Sequence, residues 1–237
     1  MRELRAAVWD QVPADALPER FEERRALLLS AVAAMNDSHR AVVTTDDTPA
    51  SGESGIASPR LPLRVLDAGC GAGEFAAVLL AAGATVVAAD AAQGALDRTA
   101  VTAPAAVRVL WPDGADLALP DDSVDLVWAG ETLEHVGDGE AWLGELRRVL
   151  RPGGRLLLTT PDHPFLLRLR LALSRRAFDS HVAPWADHLR FFTAASLREL
   201  LDRAGFVSIE IRKAYGPRWA RETLVATAEV VGSKHDA

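Results

Sequence analysis

Two clusters in this chain combine residue types and spacings that suit chemistry. One is the run Gly130-Glu131-Thr132-Leu133-Glu134-His135, which directly follows an apolar stretch. On a helix, Glu131 and Glu134 stand three apart and Glu131 and His135 four apart, so all three share one face. Two carboxylates and an imidazole on one face suit a hard divalent ion, or a histidine base held by an acid. Packing of His135 without chemistry is the third reading. The other cluster is Asp67-Ala68-Gly69-Cys70-Gly71-Ala72-Gly73, with Asp90 lying 21 residues beyond Gly69. Glycines let a backbone turn tightly and let a ligand lie against it. A carboxylate at the end of the next strand can accept from both ribose hydroxyls of an adenosine cofactor. A dinucleotide fingerprint would need glycine at position 74, where this chain has Glu74. That carboxylate would also oppose a pyrophosphate at the helix N-terminus. The pattern points to a nucleoside cofactor without a pyrophosphate.

The elements around these clusters follow from hydrophobic periodicity. Short apolar runs at 63–68, 85–90, 106–110, 124–129 and 154–160 alternate with helical patterns at 74–83, 94–100 and 139–150. Strands without polar alternation, separated by helices, predict a parallel sheet covered on both faces. A helix over 196–205 and two strands over 207–215 and 223–231 follow, the short link between the strands suiting an antiparallel hairpin. The predicted fold is α/β and doubly wound, a mostly parallel seven-stranded sheet with a C-terminal antiparallel strand. Residues 1–35 are expected to form a helical extension and substrate cap, with Phe21, Leu27, Leu28, Ala31, Val32 and Met35 at helical spacing. Residues 36–61, rich in Ser, Thr, Asp, Gly and Pro, are expected to form a flexible linker. Residues 62–237 make the main domain, with a lid insertion at 161–192.

The motifs in this order resemble the class I S-adenosylmethionine-dependent methyltransferases, from about residue 63 to residue 211. VLDAGCGAG resembles that family's first motif, and the resemblance implies that Gly69, Gly71 and Gly73 approach the methionine part of S-adenosyl-L-methionine, with Asp67 and Cys70 also in the cofactor site. It further implies that Asp90 holds the ribose, that Asp113 and Gly114 hold the adenine edge, and that Gly130 contributes backbone. LRRVLRPGGRLLLTTP (146–161) resembles the family's helix, turn and fifth strand. Around Glu131, Glu134 and His135 the chain is also similar to the polyprenyl-phenol O-methyltransferases and the small-RNA terminal 2′-O-methyltransferases. The likeness to the RNA group implies Glu131, Glu134, His135 and His188 as a set for Mg2+ or Mn2+. The doubling of basic residues that the RNA group has around its second histidine is absent here, with Leu189 in place. The expected activity is O-methylation of a small acceptor, lipophilic or anionic, with Glu131, Glu134 and His135 facing it. RNA 3′-terminal 2′-O-methylation and a non-catalytic binding protein of the same fold are the alternatives.

Composition sets the outer bounds. The 237 residues are 49% hydrophobic and 25% charged, which excludes collagen-like and wholly disordered chains. Cys70 is the single cysteine, so a disulfide framework and a Cys-rich zinc site are out. No apolar run reaches the ~18 residues of a membrane span, and the first 20 residues lack a signal-type apolar core, so a cytoplasmic location is expected. Residues 1–150 hold 12 Lys and Arg against 24 Asp and Glu, and residues 151–237 hold 14 against 9. The acidic total argues against a nucleic-acid partner. Residues 165–176 combine seven apolar residues with Arg168, Arg170, Arg175 and Arg176. They read as a lid helix with a solvated face, or as a basic amphipathic contact with a membrane surface. Trp9, Trp185, Phe191 and Phe192 are candidates for an aromatic acceptor pocket, whereas His39, His163 and His181 stand in no evident constellation. Oligomeric state is not legible.

Overall fold

The computed structural model describes residues 17–43, 61–181, 188–215 and 222–231. The sequence-predicted aromatics Trp9 and Trp185 lie outside them, as do residues 44–60 of the expected linker. The elements are α1 (Phe21–Val43), β1 (Arg64–Ala68), α2 (Glu74–Ala81), β2 (Thr85–Asp90), α3 (Gln93–Thr102), β3 (Val107–Leu110), β4 (Val124–Gly130), α4 (Gly139–Val149), β5 (Leu150–Pro161), α5 (Phe165–Leu173), α6 (Arg175–His181), α7 (Ala194–Arg203), β6 (Val207–Ala214) and β7 (Thr223–Glu229).

One seven-stranded sheet runs β3-β2-β1-β4-β5-β7-β6. β1 pairs in parallel with β2 and β4, β4 with β5, and β2 with β3. β7 is antiparallel to both β5 and β6. The uniformly buried run VDLVWA becomes a central strand because both of its faces are covered. Adjacent residues of β1 point to opposite layers. Val65 packs with Leu28, Val32, Phe75 and Leu79 on the face of α1 and α2, whereas Leu66 packs with Leu143, Leu146, Leu197 and Phe206 on the face of α4 and α7. The outermost strand β6 carries Glu210, Arg212 and Lys213, charges that discourage pairing with another edge.

α1 continues to Val43, eight residues into the stretch expected as linker. Its polar C-terminal part has no apolar stripe to read, so sequence periodicity ended it at Met35. Residues 131–135 also depart from expectation. Glu131 has a φ of +55°, and only Leu133–His135 form a single 3-10 turn. A left-handed residue cannot continue a right-handed helix, so the shared helical face predicted for Glu131, Glu134 and His135 does not exist. The helix begins later, at Gly139, where the Asp138 carboxylate accepts the Ala141 amide at 3.0 Å.

The insertion after β5 forms α5 and α6, then returns to the sheet edge. Asp162 bridges Phe192, and the His163 amide donates to the Phe192 carbonyl at 3.2 Å. The amides of Leu189 and Arg190 both donate to the Glu134 carbonyl, at 2.8 and 3.1 Å.

Candidate functional site

Strand order reverses between β1 and β4, which opens a crevice at their carboxyl ends. On one side lies the glycine-rich turn. The Asp90 carboxylate shapes it, accepting the Gly71 amide on Oδ2 at 3.0 Å and the Ala92 amide on Oδ1 at 2.9 Å. Gly69 has a φ of +82°, and a Cβ there would collide with the side chain of Thr132. Thr132 in turn donates to the Ala68 carbonyl at 3.1 Å, so Gly69 lets the β1 and β4 loops close on one another. The Cys70 side chain points into the core against Thr99, with Sγ 3.5 Å from its hydroxyl, and burial pushes the thiol's pKa up. A cofactor could therefore meet Cys70 only through its backbone. Asp113 and Gly114 are exposed on the loop after β3, with Asp113 Oδ2 3.9 Å from where a Cβ of Gly137 would stand.

On the other side, Glu134 is 1% exposed; its Oε2 accepts from the Thr160 hydroxyl at 2.9 Å and its Oε1 has no partner. Ligand atoms of Glu134, His135 and His188 all lie within 4.8 Å of one another, and the two imidazole rings meet edge-on at 4.9 Å. Glu131 is not a member of that group. Its left-handed backbone is held by its amide, which donates a hydrogen bond to the Thr159 carbonyl at 2.9 Å. Such a conformation costs a non-glycine residue about 1 kcal/mol or more and often marks a functional site. Glu131 instead shares its surroundings with Arg24 of α1, which favours its charge.

Three carboxylates in the crevice, buried Asp67 and Glu134 and half-buried Glu131, each have an enclosed oxygen without a partner: Asp67 Oδ2, Glu131 Oε1 and Glu134 Oε1. Burial, then the neighbouring Asp90 charge, pushes Asp67 up to about 8. Burial and the adjacent Glu131 raise Glu134, and burial raises Glu131 against the pull of Arg24. Oxygens left bare at a cost of about 1–3 kcal/mol each fit a ligand bearing donors or positive charge, as the methionine end of S-adenosylmethionine does. Three donor atoms from one carboxylate and two imidazoles also fit a divalent ion. Two surface clefts, of about 330 Å³ beside Glu140 and Arg203 and about 580 Å³ beside Glu145 and Arg148, hold none of these groups. Their charges are already paired, Arg203 with Glu140 at 2.6 Å and Arg148 with Glu145 at 2.8 Å.

The structure thus gathers Asp67, Gly69, Gly71, Gly73, Asp90 and Gly130 at one edge, with Glu134, His135 and His188 beside them and Glu131 next to that three-residue group without joining it. Sequence reasoning missed Thr132, Thr160 and Arg24. Arg24 left a readable signal, a charge on the apolar stripe of Phe21, Leu28, Val32 and Met35. It also missed the pairing of His163 with His181, whose Nε2 atoms lie 3.1 Å apart, with Phe191 stacked on the His181 ring at 4.7 Å. Residues 18 apart carry no spacing signal.

Comparison with known proteins agrees with this geometry. A family model described as a methyltransferase domain matches residues 6–211. A probable S-adenosylmethionine-dependent methyltransferase of Mycolicibacterium smegmatis is 35% identical over 142 residues, 60% of this chain and 51% of that protein. A malonyl-[acyl-carrier protein] O-methyltransferase of Methylococcus capsulatus is 34% identical over 155 residues, 63% of this chain and 54% of that protein. The chain spans about half the length of these curated relatives. The crystal structure of an S-adenosylmethionine-dependent methyltransferase from Mesorhizobium loti shares the fold, with a TM-score of 0.55 at 20% identity over 71% of this chain and 91% of that one. With the strand order, the glycine turn and Asp90 in place, the chain belongs to the class I S-adenosylmethionine-dependent methyltransferase family.

Proposed function

We propose that this chain transfers the methyl group of S-adenosylmethionine to an oxygen of a small acceptor. The convergence of Glu134, His135 and His188 within 4.8 Å, beside the cofactor turn, carries the reading. When bound, the cofactor supplies a methyl group on a sulfonium that leaves as a neutral thioether. The chain's own residues position the acceptor and move one proton. His135 takes the proton of the acceptor hydroxyl as the new C–O bond forms. Glu134, fixed by Thr160 and by the turn, orients the imidazole side of the crevice. The O-methyltransferase named among the relatives supports an oxygen acceptor.

A second reading follows from the same three donors. Glu134, His135 and His188 would hold a Mg2+ or Mn2+ ion, which would supply Lewis acidity to an acceptor hydroxyl. Residues 161–192 act as the lid of the acceptor side. Phe165, Leu169 and Leu173 form an exposed stripe along α5, with Arg168, Arg170, Arg175 and Arg176 exposed around it. This face suits a lipophilic acceptor presented at an anionic membrane surface. No described helix is long and apolar enough to cross a membrane, and the proposed setting is the cytoplasm.

The test is methyl transfer from labelled cofactor to a panel of hydroxylated aromatics, carboxylates, sugars and short RNAs. Label in a small hydroxylated product, reduced at least ~100-fold by His135→Ala, is expected. Label confined to RNA ends and lost on periodate treatment would establish the RNA alternative. Cofactor binding without transfer to any acceptor would favour a non-catalytic protein.

A further inference from the structure

Two histidines tie the insertion after β5 to the sheet. Nε2 of His163 and Nε2 of His181 lie 3.1 Å apart, and the Phe191 ring touches both imidazoles, at 4.9 Å from the first and 4.7 Å from the second. His163 belongs to the sheet side. Its amide donates to the Phe192 carbonyl at 3.2 Å. The preceding Asp162 is fixed in turn, its amide on the Glu222 carbonyl at 2.7 Å and its carboxylate on Lys213 of β6 at 2.5 Å. His181 closes α6. α5 and α6 pack chiefly on one another, and Phe165, Leu173 and Phe178 stay at least half exposed. Little apolar burial therefore holds the two helices down.

The contact between the imidazoles admits one proton. A hydrogen bond between two Nε2 atoms needs one as donor and the other as acceptor. His163 is 8% exposed, and its Nδ1 is enclosed without a partner among the described residues. An imidazolium at 163 would carry one proton on Nδ1 with nothing to receive it, and a second aimed at His181. The neutral ring, donating from Nε2 to His181, costs least, because a bare acceptor is cheaper to enclose than an unpaired cation. Protonating His181 instead would set two N–H groups head to head. Neighbouring charges do not rescue either state. Asp162 favours an imidazolium at 163 but is already paired with Lys213. Asp179 of α6 pairs with Arg175 at 3.7 Å, and a proton on His188 would add repulsion. Burial, then the neighbouring His181, accordingly holds His163 below the ordinary histidine range.

We propose that His163 and His181 form a proton-operated latch, which holds α5 and α6 against the sheet at neutral pH and releases them on acidification. This rests on residues 161–192 forming the lid of the acceptor side, which release then opens. Freed imidazoles take up protons at the ordinary histidine value, and the latched pair only at lower pH. Closure is therefore complete above about pH 6.5 and is lost as the pH falls. Asp67 and Glu134, whose raised pKa values favour the whole fold at low pH, give the opposite trend. A lid that loosens on acidification is thus distinguishable from global unfolding.

Hydrogen exchange on the full chain, corrected for the intrinsic pH dependence of exchange, tests the latch. Protection of residues 165–181 should fall at least threefold from about pH 7.5 to about pH 5.5, while β4 and β5 keep theirs. His181→Phe keeps a ring against Phe191 but carries no proton. Its lid should show the same protection at both pH values, below that of the wild type at the higher one. Should that variant not fold, His181→Gln, which can still bond to His163 without titrating, should keep the lid protected at the lower pH. Equal wild-type protection at the two pH values, or a pH dependence that survives the substitution, overturns the latch. A lid that responds to pH in a chain that methylates no acceptor overturns the proposed function and leaves the latch standing.

Discussion

The carboxylate of Asp90 holds the amides of Gly71 and Ala92 at once, one on each oxygen, and so ties the glycine-rich turn to the start of α3. A residue expected to hold a ribose therefore also shapes the loop beside it. Asp90→Ala should abolish S-adenosylmethionine binding in calorimetry. Two amides left without acceptors cost about 1–3 kcal/mol each, so melting should fall by roughly 4 °C or more. Asp90→Asn keeps one acceptor oxygen and should recover part of the melting loss and little of the affinity. Full affinity in the alanine variant would remove the cofactor assignment.

Stability should fall with rising pH in the ligand-free chain. Asp67 and Glu134 have pKa values raised in the fold, chiefly by burial. Each therefore holds its proton more tightly folded than unfolded. Their contribution is complete below about pH 4, the range of unfolded carboxylates, and is lost as pH rises towards about 8, the value for Asp67. Melting temperature followed from pH 5 to 8 should drop by at least ~3 °C, and Asp67→Asn should flatten the curve. A curve flat in the wild type would contradict the burial argument.

Chelation separates the two readings of Glu134, His135 and His188. With a bound ion, EDTA stops turnover, Mg2+ or Mn2+ restores it, and His188→Ala raises the metal needed for half-activity by about tenfold or more. Turnover indifferent to EDTA leaves His135 as a metal-free base.

The proposed membrane contact of α5 and α6 is tested with vesicles. Co-sedimentation with anionic lipid is expected at ~50 mM salt and release near ~0.5 M, as charge interactions become screened. Replacing Arg168, Arg170, Arg175 and Arg176 together by Gln should abolish it without changing cofactor affinity. Absence of co-sedimentation at low salt would remove the membrane contact.

The central sheet and the cofactor turn were readable in the sequence because each rests on local chemistry. VDLVWA has no polar alternation, so it must be covered on both faces, and the glycines announce a backbone that side chains would obstruct. The side of Glu134, His135 and His188 was less legible. Spacing placed Glu131 with Glu134 and His135 on the premise of a helix, and one left-handed residue removed that premise. Arg24 and Gly130, whose missing side chain admits the guanidinium, are 106 positions apart, and His163 and His181 meet only through the return of the lid. Such contacts depend on tertiary packing, which no local period records.

The antiparallel strand β7 has a consequence for synthesis. It lies between β5 and β6 although it follows both in the chain. It pairs Thr160 with Leu224 and Pro161 with Thr223, and the Asp162 amide donates to the Glu222 carbonyl at 2.7 Å. Thr160, the residue that steadies Glu134, is thus clamped by Leu224, which leaves the ribosome 64 positions after it. A nascent chain can assemble β1 to β5 early, but β6 waits without a neighbour, and the support of Glu134 stays unfinished until residues 223–229 have emerged.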